Sequence, residues 1–205
     1  MKKIMFNDKY GLTKAVLDGR KTMTRRIIKG LVPAIKDLRI NDNGVCEALF
    51  GNRWMISPVQ PKYKIGERIA IAQAYKDICD NPYFLNQCAA NGDCRGTMIA
   101  QEGWGNKMYV SSYYMPWGIE IAGIKAERMQ DISDEDCLKE GILKESNFPR
   151  KKSFPFYFKG GKKAWDNHFS TPRKAFAALI DKVSGKGIWM SNPFVYAYDY
   201  KLIKL

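Results

Sequence analysis

The side chains with most chemistry to offer in this chain are basic and aromatic, and they gather in two stretches. Residues 1 to 39 hold eleven basic residues against three acidic ones, with Arg20, Lys21, Arg25 and Arg26 close together. Between 150 and 174 a second basic stretch (Arg150, Lys151, Lys152, Lys159, Lys162, Lys163, Arg173, Lys174) is interleaved with Phe154, Phe156, Tyr157, Phe158, Trp165 and Phe169. Such interleaving suits single-stranded RNA: rings such as Phe156, Tyr157 or Trp165 stack on bases while lysines meet phosphates. The same pattern also fits a surface loop whose aromatics belong to the core. Over the whole chain 34 Lys and Arg face 21 Asp and Glu, a net charge of +13. That excess favours a polyanionic partner, with nucleic acid the first candidate.

Other chemistries find less support. The five cysteines, Cys46, Cys79, Cys88, Cys94 and Cys137, are odd in number and irregularly spaced, unlike a disulfide framework. They point to a reducing, cytoplasmic compartment. Cys79, Cys88 and Cys94 contain no CxxC, and the sole histidine, His168, lies far along the chain, so neither a zinc site nor a Ser/His/Asp triad is expected. No glycine loop of the P-loop or Rossmann type occurs, and no cofactor is expected. The apolar runs are too short to cross a bilayer, and the first residues lack the apolar core of a signal peptide.

The elements that must position these residues read as follows. A chain of 205 residues with 45% hydrophobic content supports one core, hence one domain spanning 1–205 with insertions at about 30–62, 76–112 and 145–170. Ile4 to Phe6 reads as a short strand and Gly11 to Asp18 as a short helix stopped by Gly19. Thr22 to Ile28 then reads as a basic strand. Val45 to Phe50 and Arg53 to Ile56 form a hairpin around Gly51-Asn52. Further strands are expected at Arg68 to Ala74, Gly118 to Met129 and Phe194 to Ile203, with irregular structure over 76–112. Ser133 caps a helix that ends at Gly141, and Thr171-Pro172 opens another. In that last helix Phe176, Leu179, Ile180 and Val183 follow the i, i+3, i+4, i+7 rule and are read as core rather than a ligand box. The class is α+β, with several strands and few helices between them suggesting a barrel or rolled sheet.

Four segments together resemble the ASCH family, a relative of the PUA RNA-binding fold, in the larger form found in bacteriophages and prophages. They are Gly19-Arg20-Lys21-Thr22-Met23-Thr24-Arg25-Arg26, Tyr63-Lys64-Ile65-Gly66-Glu67-Arg68, Glu127 to Ser133 running on to Glu140-Gly141-Ile142, and Trp189 with Asn192-Pro193-Phe194-Val195. The resemblance implies a PUA-like β-barrel with peripheral helices and inserted loops, using a cleft to hold RNA or a modified nucleoside. The first and third segments are similar to those of small bacterial amidohydrolases that remove the acetyl group from N4-acetylcytidine. That similarity makes Lys21, Thr24 and Glu140 the catalytic trio. The chain departs from the phage-type pattern at Ala72-Gln73, where an Arg-Glu pair is usual, and has no Arg near the strand after Met115-Pro116.

Amide hydrolysis needs a nucleophile, a base and a proton for the leaving amine. Thr24, Lys21 and Glu140 supply those roles in that order, with Arg20, Arg25 and Arg26 lowering the Lys21 pKa by like-charge repulsion. Strand alternation puts Lys21 and Thr24 on opposite faces, so the trio requires Lys21 to lie in the turn after Gly19 or beside a bulge. Glu140 sits at the end of its helix, where the dipole opposes a carboxylate, and a basic partner such as Lys21 makes that placement intelligible. The ordinary alternatives are a solvated turn lysine, a strand-forming threonine and a surface glutamate. Nucleic-acid contacts are assigned to Arg20, Arg25, Arg26, Lys151, Lys152, Tyr157, Lys162, Lys163 and Trp165. Two other readings stand beside the enzyme: a non-catalytic RNA-binding module, and a phage accessory protein that binds a host protein through an exposed apolar patch.

Overall fold

The computed structural model describes residues 1–93, 95–145, 154–160 and 167–205. Along the chain come β1 (Lys3–Ile4), α1 (Leu12–Leu17), β2 (Met23–Ile27), β3 (Ile35–Ile40), β4 (Cys46–Phe50), β5 (Arg53–Ile56) and β6 (Arg68–Ile71). There follow α2 (Pro82–Ala90), α3 (Arg95–Ile99), β7 (Trp117–Arg128), α4 (Asp134–Lys139), β8 (Leu143–Lys144), β9 (Phe156–Tyr157) and β10 (His168–Phe169). Then α5 (Pro172–Ser184) and α6 (Ile188–Ser191) lead to the closing strand β11 (Phe194–Lys204). The class is mixed α+β, as the pattern of residues predicts.

The main sheet runs in the order β1-β6-β7-β11-β2, antiparallel except where β1 meets β6. Among the described residues it does not close into the expected barrel. β1 is two residues long, and the chain leaves it for a 3-10 turn at Asp8–Tyr10, so it forms no ladder with β2 at the other edge. A side chain spans this seam instead: Arg26 Nη2 donates to the Met5 carbonyl at 2.9 Å.

Both faces of the sheet are covered, which is why β11 is buried on alternate and intervening positions alike. Tyr196, Tyr198 and Tyr200 face one way, Val195 and Ala197 the other, and all five are buried. The tyrosine face meets the 30–62 insertion: Tyr196 Oη donates to the Val59 carbonyl at 2.6 Å, and Tyr198 Oη accepts from Lys62 N at 3.1 Å. The expected hairpin at Gly51-Asn52 is present as β4 and β5, and it carries β3 as a third strand. The opposite face meets α4 and α5, whose Ala175, Phe176 and Leu179 join the main core.

The 76–112 segment differs from its expected irregularity. Asn81 caps α2 by accepting from Tyr83 N at 2.9 Å, Pro82 opens the helix, and Phe84 and Cys88, four residues apart, are both buried. They pack with Tyr75, Met98 and Tyr114 into a second apolar cluster. Alternation on β6 joins the two clusters, with Ile69 and Ile71 in the main core and Ala70 in the second.

Candidate active site at the free edge of β2

β2 is an edge strand, and its register fixes which backbone groups are free. Tyr200 N donates to the Thr22 carbonyl at 2.9 Å, Ile28 N donates to the Phe194 carbonyl at 3.0 Å, and Thr24 lies opposite Tyr198. Antiparallel ladders alternate, so the N–H and C=O groups of Met23, Arg25 and Ile27 turn away from β11. That edge walls a cleft of about 520 Å³, closed on the other sides by Met5 to Asn7 and by Phe176, Leu179, Ile180 and Val183 of α5. The four α5 residues read as core therefore have a second duty: three are buried, and all four front the cleft.

Lys21, Thr24 and Glu140 all line this cleft. Lys21 lies in the turn after Gly19, ahead of β2, so the parity objection to a Lys21 and Thr24 pairing does not arise. The turn is held by Lys21 N on the Ala15 carbonyl and by Thr22 N on the Lys139 carbonyl, each at 2.9 Å. Lys21 Nζ then reaches Glu140 Oε2 at 2.5 Å, the Glu140 carbonyl at 2.8 Å and the Met23 carbonyl at 2.7 Å. Gly141, at φ 102°, lets the chain turn away directly after Glu140, and a Cβ there would sit 3.6 Å from the Lys21 side chain. Lys21 and Glu140, 2% and 5% exposed, are not the solvated residues that their ordinary alternatives describe, whereas Thr24, 5% exposed, lies within β2 as its strand-forming alternative expects.

Electrostatics sharpen the picture. Burial pushes Lys21 below the ordinary lysine value, Glu140 opposes that, and Arg26 and Arg25 add to the lowering. Arg25 sits at the centre of the carboxylates. Its Nε and Nη2 donate to Glu127 Oε1 at 2.9 and 2.6 Å, Nη2 also to Asp136 Oδ2 at 3.1 Å, and Nη1 to Glu140 Oε1 at 3.2 Å. Lys125 and Lys139 approach Asp136 from the rim at 3.7 and 3.3 Å. Burial alone would raise the Asp136 carboxyl, but Arg25 and these lysines hold it below its usual value.

The residues assigned to nucleic acid divide. Arg26 is exposed and borders the cleft. Arg25 reaches the cleft wall, but its side chain is fully buried and every guanidinium nitrogen is committed, which leaves it none for a phosphate. Arg20 pairs with Asp18 at 3.2 Å and is not a cleft residue. Tyr157 lies in the small β10-β9-β8 sheet with its ring stacked on His168, centroids 4.9 Å apart. Lys151, Lys152, Lys162, Lys163 and Trp165 lie outside the described residues.

Sequence reasoning passed over Glu127, Asp136 and Tyr200. Asp136 and Glu140 are four apart behind the Ser133 cap, so helical spacing alone puts them on one face toward a common cation. Among the described residues the buried Tyr200 hydroxyl has no hydrogen-bond partner, and burial together with Glu140 holds its pKa well above 10.0. Gln73 is also buried, with Oε1 unpartnered among the described residues.

Among the described residues no group of three His, Cys, Asp or Glu side chains is placed to hold a metal ion. Cys46, Cys79, Cys88 and Cys137 are free thiols, and Cys94 is outside the described residues. No described helix is long and apolar enough to cross a membrane. The chain matches no family model, no curated protein and no solved structure.

Proposed function

We propose that the chain is an ASCH, PUA-like domain whose cleft takes an acetylated cytidine, free or within RNA, and hydrolyses its N4-acetyl amide. The observation that carries this reading is the Lys21–Glu140 pair, in contact at 2.5 Å and walled from water, beside Thr24 on one wall of the same cleft. A volume near 520 Å³ falls in the range of small-molecule sites.

The chemistry begins with Lys21, whose pKa is lowered chiefly by burial, so that its free amine is within reach as a base. The amine accepts the Thr24 hydroxyl proton as Thr24 Oγ1 bonds to the acetyl carbon. The Lys21 ammonium then passes that proton by way of the Glu140 carboxylate to N4 as the C–N bond breaks, leaving cytidine and an acetyl ester on Thr24. Water attacks that ester, its proton goes to the Lys21 amine, and Lys21 returns it to Thr24 Oγ1. The products are cytidine and acetic acid.

The test is release of acetate from N4-acetylcytidine by the purified protein. Thr24→Ala, which removes the nucleophile and one methyl-sized group, is expected to reduce the rate by ~10³-fold or more while the protein stays folded. No acetate from the wild-type protein rejects the enzyme. One observation favours the alternative of a non-catalytic RNA-binding module: all three Lys21 ammonium protons have acceptors, as in a purely structural ion cluster. RNA retention undiminished in Thr24→Ala, with no turnover, is the result that reading expects.

A further inference from the structure

Across the seam between β1 and β2 lies a second cavity of about 320 Å³, on the tyrosine face of the sheet. Tyr196 and Tyr198 wall it, and Lys3, Arg26, Lys29 and Lys62 line it. No acidic residue does, and among the described residues none of the four cations pairs with a carboxylate. This contrasts with the first cleft, where Glu140 answers Lys21 and Arg25.

The two cavities are neighbours. Met5, Arg26, Ile27 and Lys29 belong to both, and the Arg26 guanidinium, bonded to the Met5 carbonyl, stands between them. The far wall is fixed before any ligand arrives. Tyr198 Oη holds Lys62 N, Tyr196 Oη holds the Val59 carbonyl, and the Gln60 amide donates to the Cys46 and Ser57 carbonyls at 3.0 and 2.8 Å. Uncompensated cations in a concave, pre-formed site focus positive potential on whatever enters, and charge-assisted hydrogen bonds to an anion are the strong ones. A nucleoside whose base lies in the first cleft has its ribose to place, and a substituent continuing past Arg26 meets Lys29 and Lys62, the Lys3 ammonium being held by the Met108 and Val110 carbonyls at 2.6 and 2.7 Å.

We propose that the second cavity is a phosphate subsite, so that the substrate is a phosphorylated cytidine, as a mononucleotide or as a unit of an RNA strand, rather than a free nucleoside. The proposal rests on cytidine occupying the first cleft, but its test does not rely on turnover. The full chain is titrated by calorimetry with cytidine, cytidine 5′-monophosphate, ribose 5-phosphate and a short cytidine-containing oligoribonucleotide. At low salt the monophosphate is expected to bind ~10-fold tighter than cytidine, an advantage that shrinks as salt rises. Lys62→Glu and Lys29→Glu, both at exposed positions, are expected to bring that ratio to about one.

Equal affinity for cytidine and its monophosphate in the wild-type protein overturns the subsite and leaves the amidohydrolase reading standing. A ratio that survives both substitutions overturns it too. Ribose 5-phosphate binding that Lys62→Glu abolishes sustains the subsite even if no acetate is ever released. An oligoribonucleotide that binds tighter than the monophosphate assigns the phosphate to an RNA strand, and equal binding assigns it to a mononucleotide.

Discussion

Arg25 and Arg26 are adjacent on β2, carry the same charge and serve opposite faces of the sheet. Arg25 points beneath α4, has no exposed side-chain surface and meets Glu127, Asp136 and Glu140. Arg26 points to the seam, is exposed and is bonded to a backbone carbonyl rather than to a carboxylate. Strand alternation produces the split, and the cover on each face decides its consequence. A charge under a helix has to be matched, whereas a charge at an open edge is available to a ligand. The first sets the architecture of the cleft and the second sets what is attracted to it.

The largest effect expected from that contrast is on stability. Arg25→Ala leaves three carboxylates around a buried vacancy, and breaking such a network from one side costs ~3–5 kcal/mol. Urea unfolding measures it; a loss under ~1 kcal/mol would mean that water reaches these groups and that Arg25 is less isolated than its burial implies. Next comes the Lys21 and Glu140 pair. Lys21→Met and Glu140→Leu each strand a buried partner, while the double variant strands only Arg25, which keeps Glu127 and Asp136. The double variant should be more stable than the sum of the single losses predicts, by ~1–3 kcal/mol. Simple additivity would show that the two groups do not act as a pair.

Much of this was readable beforehand, and the gaps have physical causes. Ser133 and Thr171 announce their helices because a hydroxyl in that position satisfies an N–H that nothing else reaches. Gly19 likewise put Lys21 in a turn, which is what brings Lys21 and Thr24 to one cleft. The open seam was not readable, because it depends on β1 ending after two residues rather than on any strand pattern. Nor was the depth of Lys21 and Glu140. Composition treats every lysine and glutamate as solvated, and only the packing of α4 over β2 removes water from this pair. The same holds for Arg25, whose parity is plain from its position but whose cover is tertiary. In 76–112 the Asn81-Pro82 helix start was hidden among glycines and asparagines that also signal loops.

The carboxylate side of the contrast predicts a pH response. Asp136 is held below its usual value, so it adds stability that is complete above the unfolded-state value of 3.8 and is lost as pH falls through its folded value. Lys21 works the other way. Its folded pKa lies below 10.5, so its burial opposes folding at neutral pH, and that opposition eases as pH rises through the folded value toward 10.5. Asp136→Asn is expected to cost ~1.5–3 kcal/mol at neutral pH, by loss of charge-assisted hydrogen bonds. It should also flatten the acid limb of urea midpoints measured between neutral and acid pH. An unchanged acid limb would assign the dependence to other carboxylates.

The smallest effect on the fold, and the most telling one for ligand binding, belongs to Arg26. Its hydrogen bond to Met5 is made at the surface, so Arg26→Ala should change stability by no more than about 0.5 kcal/mol. Yet this side chain stands between two cavities whose uncompensated cations are what an RNA backbone or a nucleotide phosphate would meet. If RNA lies along the seam, Arg26→Ala should weaken binding and lower the slope of log affinity against log salt by about one, the signature of one lost phosphate contact. Arg20 provides the matched comparison: it carries the same charge, is also exposed, and lies off the cleft beside Asp18. Removing it subtracts the same net charge from the protein without touching the seam. A slope that changes equally in the two variants would mean that the chain attracts RNA through its overall charge of +13. A slope that changes with Arg26 alone ties the attraction to the open edge, where β1 is too short to cover β2.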